Sequence, residues 1–72
     1  MISVASPLNQ EEIKELLGEY KGDDFSYKFL KKDGIKLFFE NTGGNEDAAR
    51  HAREMIKNTT WGRILYFKSQ AE

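Results

Sequence analysis

Between residues 25 and 40, apolar and polar side chains alternate. Phe25, Tyr27 and Phe29 are separated by Ser26 and Lys28, and Ile35, Leu37 and Phe39 by Lys36 and Phe38, with Lys32-Asp33-Gly34 between the two runs. A period of two is the spacing of a strand face, so the pattern predicts a β-hairpin. A two-residue Asp33-Gly34 loop sets Phe29 opposite Phe38 and leaves each face half apolar. A three-residue Lys32-Asp33-Gly34 loop sets Phe29 opposite Leu37 and Tyr27 opposite Phe39, so that all six apolar residues share one face. A slip of one residue inverts every side chain, which makes the longer loop the expected one, with Gly34 as its left-handed last residue.

The rest of the chain divides into four more segments. Ile2-Ser3-Val4-Ala5 predicts a short strand with Ile2 and Val4 on one face, broken by Ser6-Pro7-Leu8. Ile13, Leu16, Leu17 and Tyr20 recur at helical spacing. Asn9 is the expected cap of that helix, with Glu12 completing a capping box, Leu8 and Ile13 forming a hydrophobic staple, and Gly22 as a left-handed stop. Asp23-Asp24 leads into the hairpin. After Asn41-Thr42-Gly43-Gly44, a second helix is expected, capped by Asn45 and buried through Ala48, Ala52, Met55 and Ile56 as far as Asn58 or Thr59-Thr60. Leu65 and Phe67, alternating with Ile64, Tyr66 and Lys68, predict a fourth strand over Gly62–Lys68. The order β-α-β-β-α-β, with right-handed crossovers, predicts an α+β, ferredoxin-like sandwich. Its four-stranded antiparallel sheet has the order 4-1-3-2, with both helices on one face.

The chain has 72 residues, 39% hydrophobic and 32% charged, which suits a single small domain over residues 1–72. It contains no cysteine and one histidine, so disulfides, thiol catalysis and cysteine-ligated zinc are excluded. Met1-Ile2-Ser3-Val4 lacks the basic start and long apolar run expected of a signal peptide, and no run of roughly 20 apolar residues occurs. The expected setting is therefore the cytoplasm, or the nucleus of a eukaryote, away from membranes.

Charge is distributed unevenly. Residues 25–41 and 61–69 carry Lys28, Lys31, Lys32, Lys36, Arg63 and Lys68 against Asp33 and Glu40, while the rest of the chain, mostly helices and their loops, carries ten acids against five bases. Strand lysines also discourage edge-to-edge pairing, so the excess is not by itself a ligand signal.

Catalytic constellations are thin. His51 falls on the second helix beside Arg50 and Arg53, where a surface or half-buried position is expected. No nucleophile-elbow sequence is present. The acid pairs Glu11-Glu12, Asp23-Asp24 and Glu46-Asp47 fall at helix starts or turns, where capping accounts for them. Gly43-Gly44 before a helix suits an anion, but Glu46 and Asp47 already place negative charge there. No enzyme activity, cofactor or metal is expected. Trp61 is expected to close the core where the second helix meets the fourth strand.

The sheet face opposite the helices holds the stronger candidates. In the expected register it presents Ser3, Ala5, Ser26, Lys28, Leu30, Lys36, Phe38, Glu40, Ile64, Tyr66 and Lys68. Rings among ammonium groups suit bases that stack while phosphates meet cations. The candidate binding residues are Lys28, Leu30, Lys36, Phe38, Tyr66 and Lys68. The expected partner is single-stranded RNA, bound weakly. The alternative is a protein held by the same face or by the first helix.

Over nearly its whole length the chain resembles an RNA recognition motif. The resemblance rests on Ile2-Ser3-Val4, the helix Glu11 to Leu17, Leu37-Phe38-Phe39, Glu46-Asp47-Ala48 and Gly62-Arg63-Ile64-Leu65. The family's octapeptide aligns with Lys32 to Phe39: Lys32 and Phe39 match its ends, and Leu37 stands near its valine. Gly34 and Lys36 occupy its two stacking positions, and Ser3 stands where the first strand usually has a ring. The resemblance implies the fold. With the usual platform rings missing, it implies RNA stacking less directly.

Overall fold

The computed structural model describes residues 1–20, 22 and 24–72, and alternation is clearest in its central strands. Strand β1 (Ile2–Ala5) turns Ile2 and Val4 inward, and both are fully buried. Strands β2 (Tyr27–Asp33) and β3 (Lys36–Asn41) form the hairpin. Helices α1 (Gln10–Glu19) and α2 (Asn45–Lys57) and strand β4 (Lys68–Ala71) complete the order β-α-β-β-α-β. All pairings are antiparallel, and the sheet order is β2-β3-β1-β4, which is 4-1-3-2 read from the other edge. This arrangement is consistent with a ferredoxin-like order. No described helix is long and apolar enough to cross a membrane.

One hydrophobic core lies between the sheet and the helices. Ile2, Val4, Leu37 and Phe39 meet Ile13 and Leu17 of α1 and Ala48, Ala52 and Ile56 of α2. The alanines let α2 approach closely, and Ser69 of β4 fits beneath it, its Oγ donating to the Ala49 carbonyl at 2.8 Å. Phe29 meets Phe39 edge to face at 5.7 Å, and Lys14 of α1 lays its ammonium 4.4 Å from the Phe29 ring centroid. Leu16, Tyr20, Met55 and Trp61 pack half-buried around this centre.

The hairpin register differs from the expected one. Phe29 pairs with Phe39 and Tyr27 with Asn41, whereas nearer the turn Lys31 pairs with Phe38 and Asp33 with Lys36. A β-bulge at Leu30 accounts for the change: it adds one residue to β2 and leaves Lys31 on the face that Leu30 would otherwise hold alone. The loop is Gly34-Ile35, with Gly34 at φ 62 in its first position, as a mirror-image two-residue turn requires. Ile35 is therefore an exposed turn residue and not a core residue. The bulge lets the core half and the turn half of one hairpin hold different registers, a solution that a uniform slip does not contain. Phe25 lies before β2, half-buried against His51.

Several helix ends also differ. Asn9 adopts a left-handed backbone (φ 58), which turns its side chain from the first-turn N–H groups; its Nδ2 instead donates to Glu12 Oε2 at 3.2 Å. Leu8 is 64% exposed, so no staple forms with buried Ile13. Helix α1 ends at Glu19 because Tyr20 is extended, so the chain leaves the helix before it reaches Gly22. Asp23 lies outside the described residues. Helix α2 begins one residue earlier than expected, with Gly44 as its cap and Asn45 already helical.

The largest difference concerns the fourth strand. After α2, the Thr59 hydroxyl donates to the Ile56 carbonyl at 2.7 Å and accepts the Gly62 N–H at 2.8 Å. A Cβ on Gly62 would lie 1.7 Å from the Ile56 oxygen, so only glycine permits this turn. The Arg63 and Leu65 N–H groups bond back to Thr59 and Gly62. Backbone donors used in a turn are lost to a ladder, so Gly62–Phe67 is not a strand. Pairing with β1 begins at Lys68, where Ala5 faces Lys68 and Ile2 faces Ala71.

Candidate functional site

The uncovered sheet face is laid out in rows across the strands. One row runs Lys31–Phe38–Ser3–Gln70, and the next runs Asp33–Lys36–Ala5–Lys68. Lys28 pairs with Glu40 beside the first row. Phe38 is the only aromatic side chain on these rows. The Lys31 and Lys36 ammonium groups lie 5.2 and 5.6 Å from its ring centroid, within reach of a cation–π attraction.

Next to Phe38 lies Ser3, which is fully buried although it points away from the helices. Its cover is the Glu72 side chain. Ser3 Oγ donates to Glu72 Oε2, Gln70 Nε2 donates to the same oxygen at 3.0 Å, and Lys36 Nζ donates to it at 3.3 Å. The Glu72 N–H bonds the Met1 carbonyl at 3.0 Å, extending the β1–β4 ladder by one step and setting the carboxylate over the row. The Ser3 hydroxyl first, then Gln70 and Lys36, hold the Glu72 carboxyl at about 2, below its ordinary 4.5.

The expected site residues are thus partly assembled. Lys28, Lys36, Phe38 and Lys68 stand on the open face, and Leu30, 44% exposed, joins them at the bulge. Tyr66 and Ile64 do not: the turn at Gly62 takes both off the sheet, and they are 92% and 91% exposed. Tyr66 instead joins Pro7, Ile35 and Phe67 around a shallow groove of about 330 Å³ at the hairpin-turn end of the sheet, with Ala5 and Lys68 on its margin. Lys31, Gln70 and Glu72 were not among the expected residues. Lys31 reaches the face only through the bulge. Lys68-Ser69-Gln70-Ala71 is too polar to stand out as a strand beside the apolar Leu65–Phe67.

The lone histidine lies away from this face. The His51 ring stacks on Phe25 at 4.7 Å and packs against Tyr20 at 4.8 Å, with Nδ1 2.8 Å from the Tyr27 hydroxyl. Tyr27 also donates to the Ala48 carbonyl at 2.8 Å, and its own burial, then Tyr20, pushes its hydroxyl above the ordinary tyrosine range. This is a packing cluster that ties β2 to α2. At the Gly43-Gly44 loop, Asn41 Nδ2 donates to Asn45 Oδ1 at 3.2 Å, and Glu46 and Asp47 occupy the first helical turn. Among the described residues, no three histidine, aspartate or glutamate side chains are grouped to hold a metal ion. No protein-family model, curated protein or solved structure matches this chain.

Proposed function

We propose that this chain is a non-catalytic module, a divergent relative of the RNA recognition motif, that binds single-stranded RNA weakly through its open sheet face. The observation that carries this reading is the position of Phe38, on a central strand between the Lys31 and Lys36 ammonium groups. A base stacks on the ring while the lysines meet its flanking phosphates. Lys28 and Lys68 extend the cationic track, and Leu30 adds an apolar edge. Stacking contributes about 1–3 kcal/mol per base, so a single central ring gives modest affinity that falls as salt rises. NMR titration with octauridylate tests the reading. Shifts are expected at Lys31, Lys36 and Phe38, and their absence at millimolar oligonucleotide overturns it.

A second reading, a protein-interaction module, draws on a different observation. Leu8, Ile35, Ile64 and Tyr66 are exposed apolar side chains, and two of them border the groove. Exposed apolar clusters mark protein contacts. Self-association in sedimentation, or capture of a protein that survives nuclease treatment, supports this reading. A monomer that retrieves protein only through RNA overturns it.

A further inference from the structure

Three donors from three strands converge on one oxygen atom. Ser3 Oγ comes from β1, Gln70 Nε2 from β4 and Lys36 Nζ from β3, and all three meet Glu72 Oε2. The Ser3 hydroxyl is buried, and Glu72 is its hydrogen-bond partner among the described residues. When Glu72 leaves, the Ser3 hydroxyl, the Gln70 amide and the Lys36 ammonium group still face one point on the open sheet face, where a second anion can replace the carboxylate. A neutral hydroxyl, a neutral amide and an ammonium group suit an anion, and charge-assisted contacts of this kind are the stronger class of hydrogen bond.

We infer that Ser3, Gln70 and Lys36 form an anion site on the open face, suited to a phosphate group, and that the Glu72 carboxylate occupies it in cis. The identification of the competing anion as an RNA phosphate rests on the function proposed above; the site itself does not. Lys36 joins the two features, since it lies over the Phe38 ring and bonds Glu72. Ser3 is the direct cross-strand neighbour of Phe38, about 5 Å away as antiparallel partners are. A nucleotide stacked on Phe38 therefore brings its phosphate to the oxygen position that Glu72 holds. The tethered carboxylate competes at a high effective concentration, so Glu72 weakens every ligand that needs this site.

The test compares the wild-type chain with Glu72→Ala and Glu72→Gln, using two probes. With inorganic phosphate, Glu72→Ala is expected to show saturable NMR shifts at Ser3, Lys36 and Gln70, and the wild type to bind about tenfold more weakly. Glu72→Gln keeps an acceptor for Ser3 but loses the charge, and shifts in the same direction to a smaller extent. With octauridylate, Glu72→Ala is expected to bind about tenfold tighter, with a log–log salt slope steeper by roughly 0.7, the mark of one more phosphate contact on a single strand. If neither variant gains phosphate binding at these residues, the anion site is overturned, even where octauridylate still shifts Phe38. Phosphate binding by the variants without octauridylate shifts at Phe38 supports the anion site and overturns the RNA reading.

Discussion

The two faces of the same four strands are held together by different physics. On the covered face, Ile2, Val4, Leu37 and Phe39 are fully buried against two helices, and their cohesion is area and shape. On the open face, their immediate neighbours Ser3, Lys36 and Phe38 are organised by one carboxylate and a few charge-assisted contacts. Apolar burial is barely sensitive to salt or to mild acid, whereas the contacts of the open face respond to both. The difference teaches where this molecule can be tuned. The covered face sets whether the chain folds, and the open face can exchange its own carboxylate for another anion without unfolding.

The largest expected effect breaks the covered face. Phe39→Ala removes a fully buried ring, a change that costs about 3–5 kcal/mol. A single core of this size supplies roughly 3–5 kcal/mol in total, so the variant should be largely unfolded at 25 °C by far-ultraviolet circular dichroism. Its neighbour gives the contrast. Phe38→Ala should remain folded, with a urea midpoint close to wild type, while octauridylate binding weakens by about 1–3 kcal/mol. If Phe38→Ala unfolds the chain as Phe39→Ala does, the distinction between the faces is wrong.

A smaller effect tests the polar part of the covered face. Tyr27→Phe removes the bonds to the Ala48 carbonyl and His51, and urea unfolding should show a loss of about 1 kcal/mol. The Tyr27 hydroxyl titrates above its ordinary value of 10.0 in the folded chain. Its contribution is therefore complete below pH 10 and is lost as pH rises through the folded value. Tyr27→Phe should flatten the alkaline limb of the stability profile, and an unchanged limb would show that Tyr27 is not the titrating group. The smallest effect belongs to the open face. Glu72 titrates at about 2 in place of 4.5, so its contribution is complete above pH 4.5 and fades as pH falls toward 2. Thermal melts of Glu72→Gln against wild type should converge over that range, and a constant gap between them would contradict the assignment.

Legibility in the sequence followed the strength of the local pattern. Helix α2 was readable because Ala48, Ala52 and Ile56 repeat at helical spacing, and all three are buried. Strand β1 was readable from Ile2 and Val4 alone. The hairpin was readable as a hairpin, but not its register, because a bulge at Leu30 satisfies the core and the turn separately. The fourth strand was misplaced because apolar alternation at Ile64–Phe67 is a stronger local signal than Lys68-Ser69-Gln70-Ala71. That segment pairs as an edge strand with small, polar residues under a close helix. Of the candidate site, Lys36 and Phe38 were found from alternation, and Tyr66 was wrongly joined to them through the misplaced strand. Glu72 had no local signal, since nothing in its neighbourhood in the chain points to Ser3 or Lys36.

By itself, then, the sequence determined the order of elements, the sheet connectivity and the inner residues of β1, the helices and the Leu37–Phe39 part of β3, because these follow from short-range periodicity and from the handedness of crossovers. Tertiary structure alone decided the bulge, the start of the last strand and the carboxylate over Ser3. The bulge and the strand start reconcile local turns with the packing of the core, and the carboxylate depends on groups far apart in the chain: Ser3 and Glu72 lie at opposite ends of the 72 residues, and only the β1–β4 ladder brings them within hydrogen-bonding distance. Short-range patterns carry no record of such a meeting, and it occurs on the face where the proposed binding takes place.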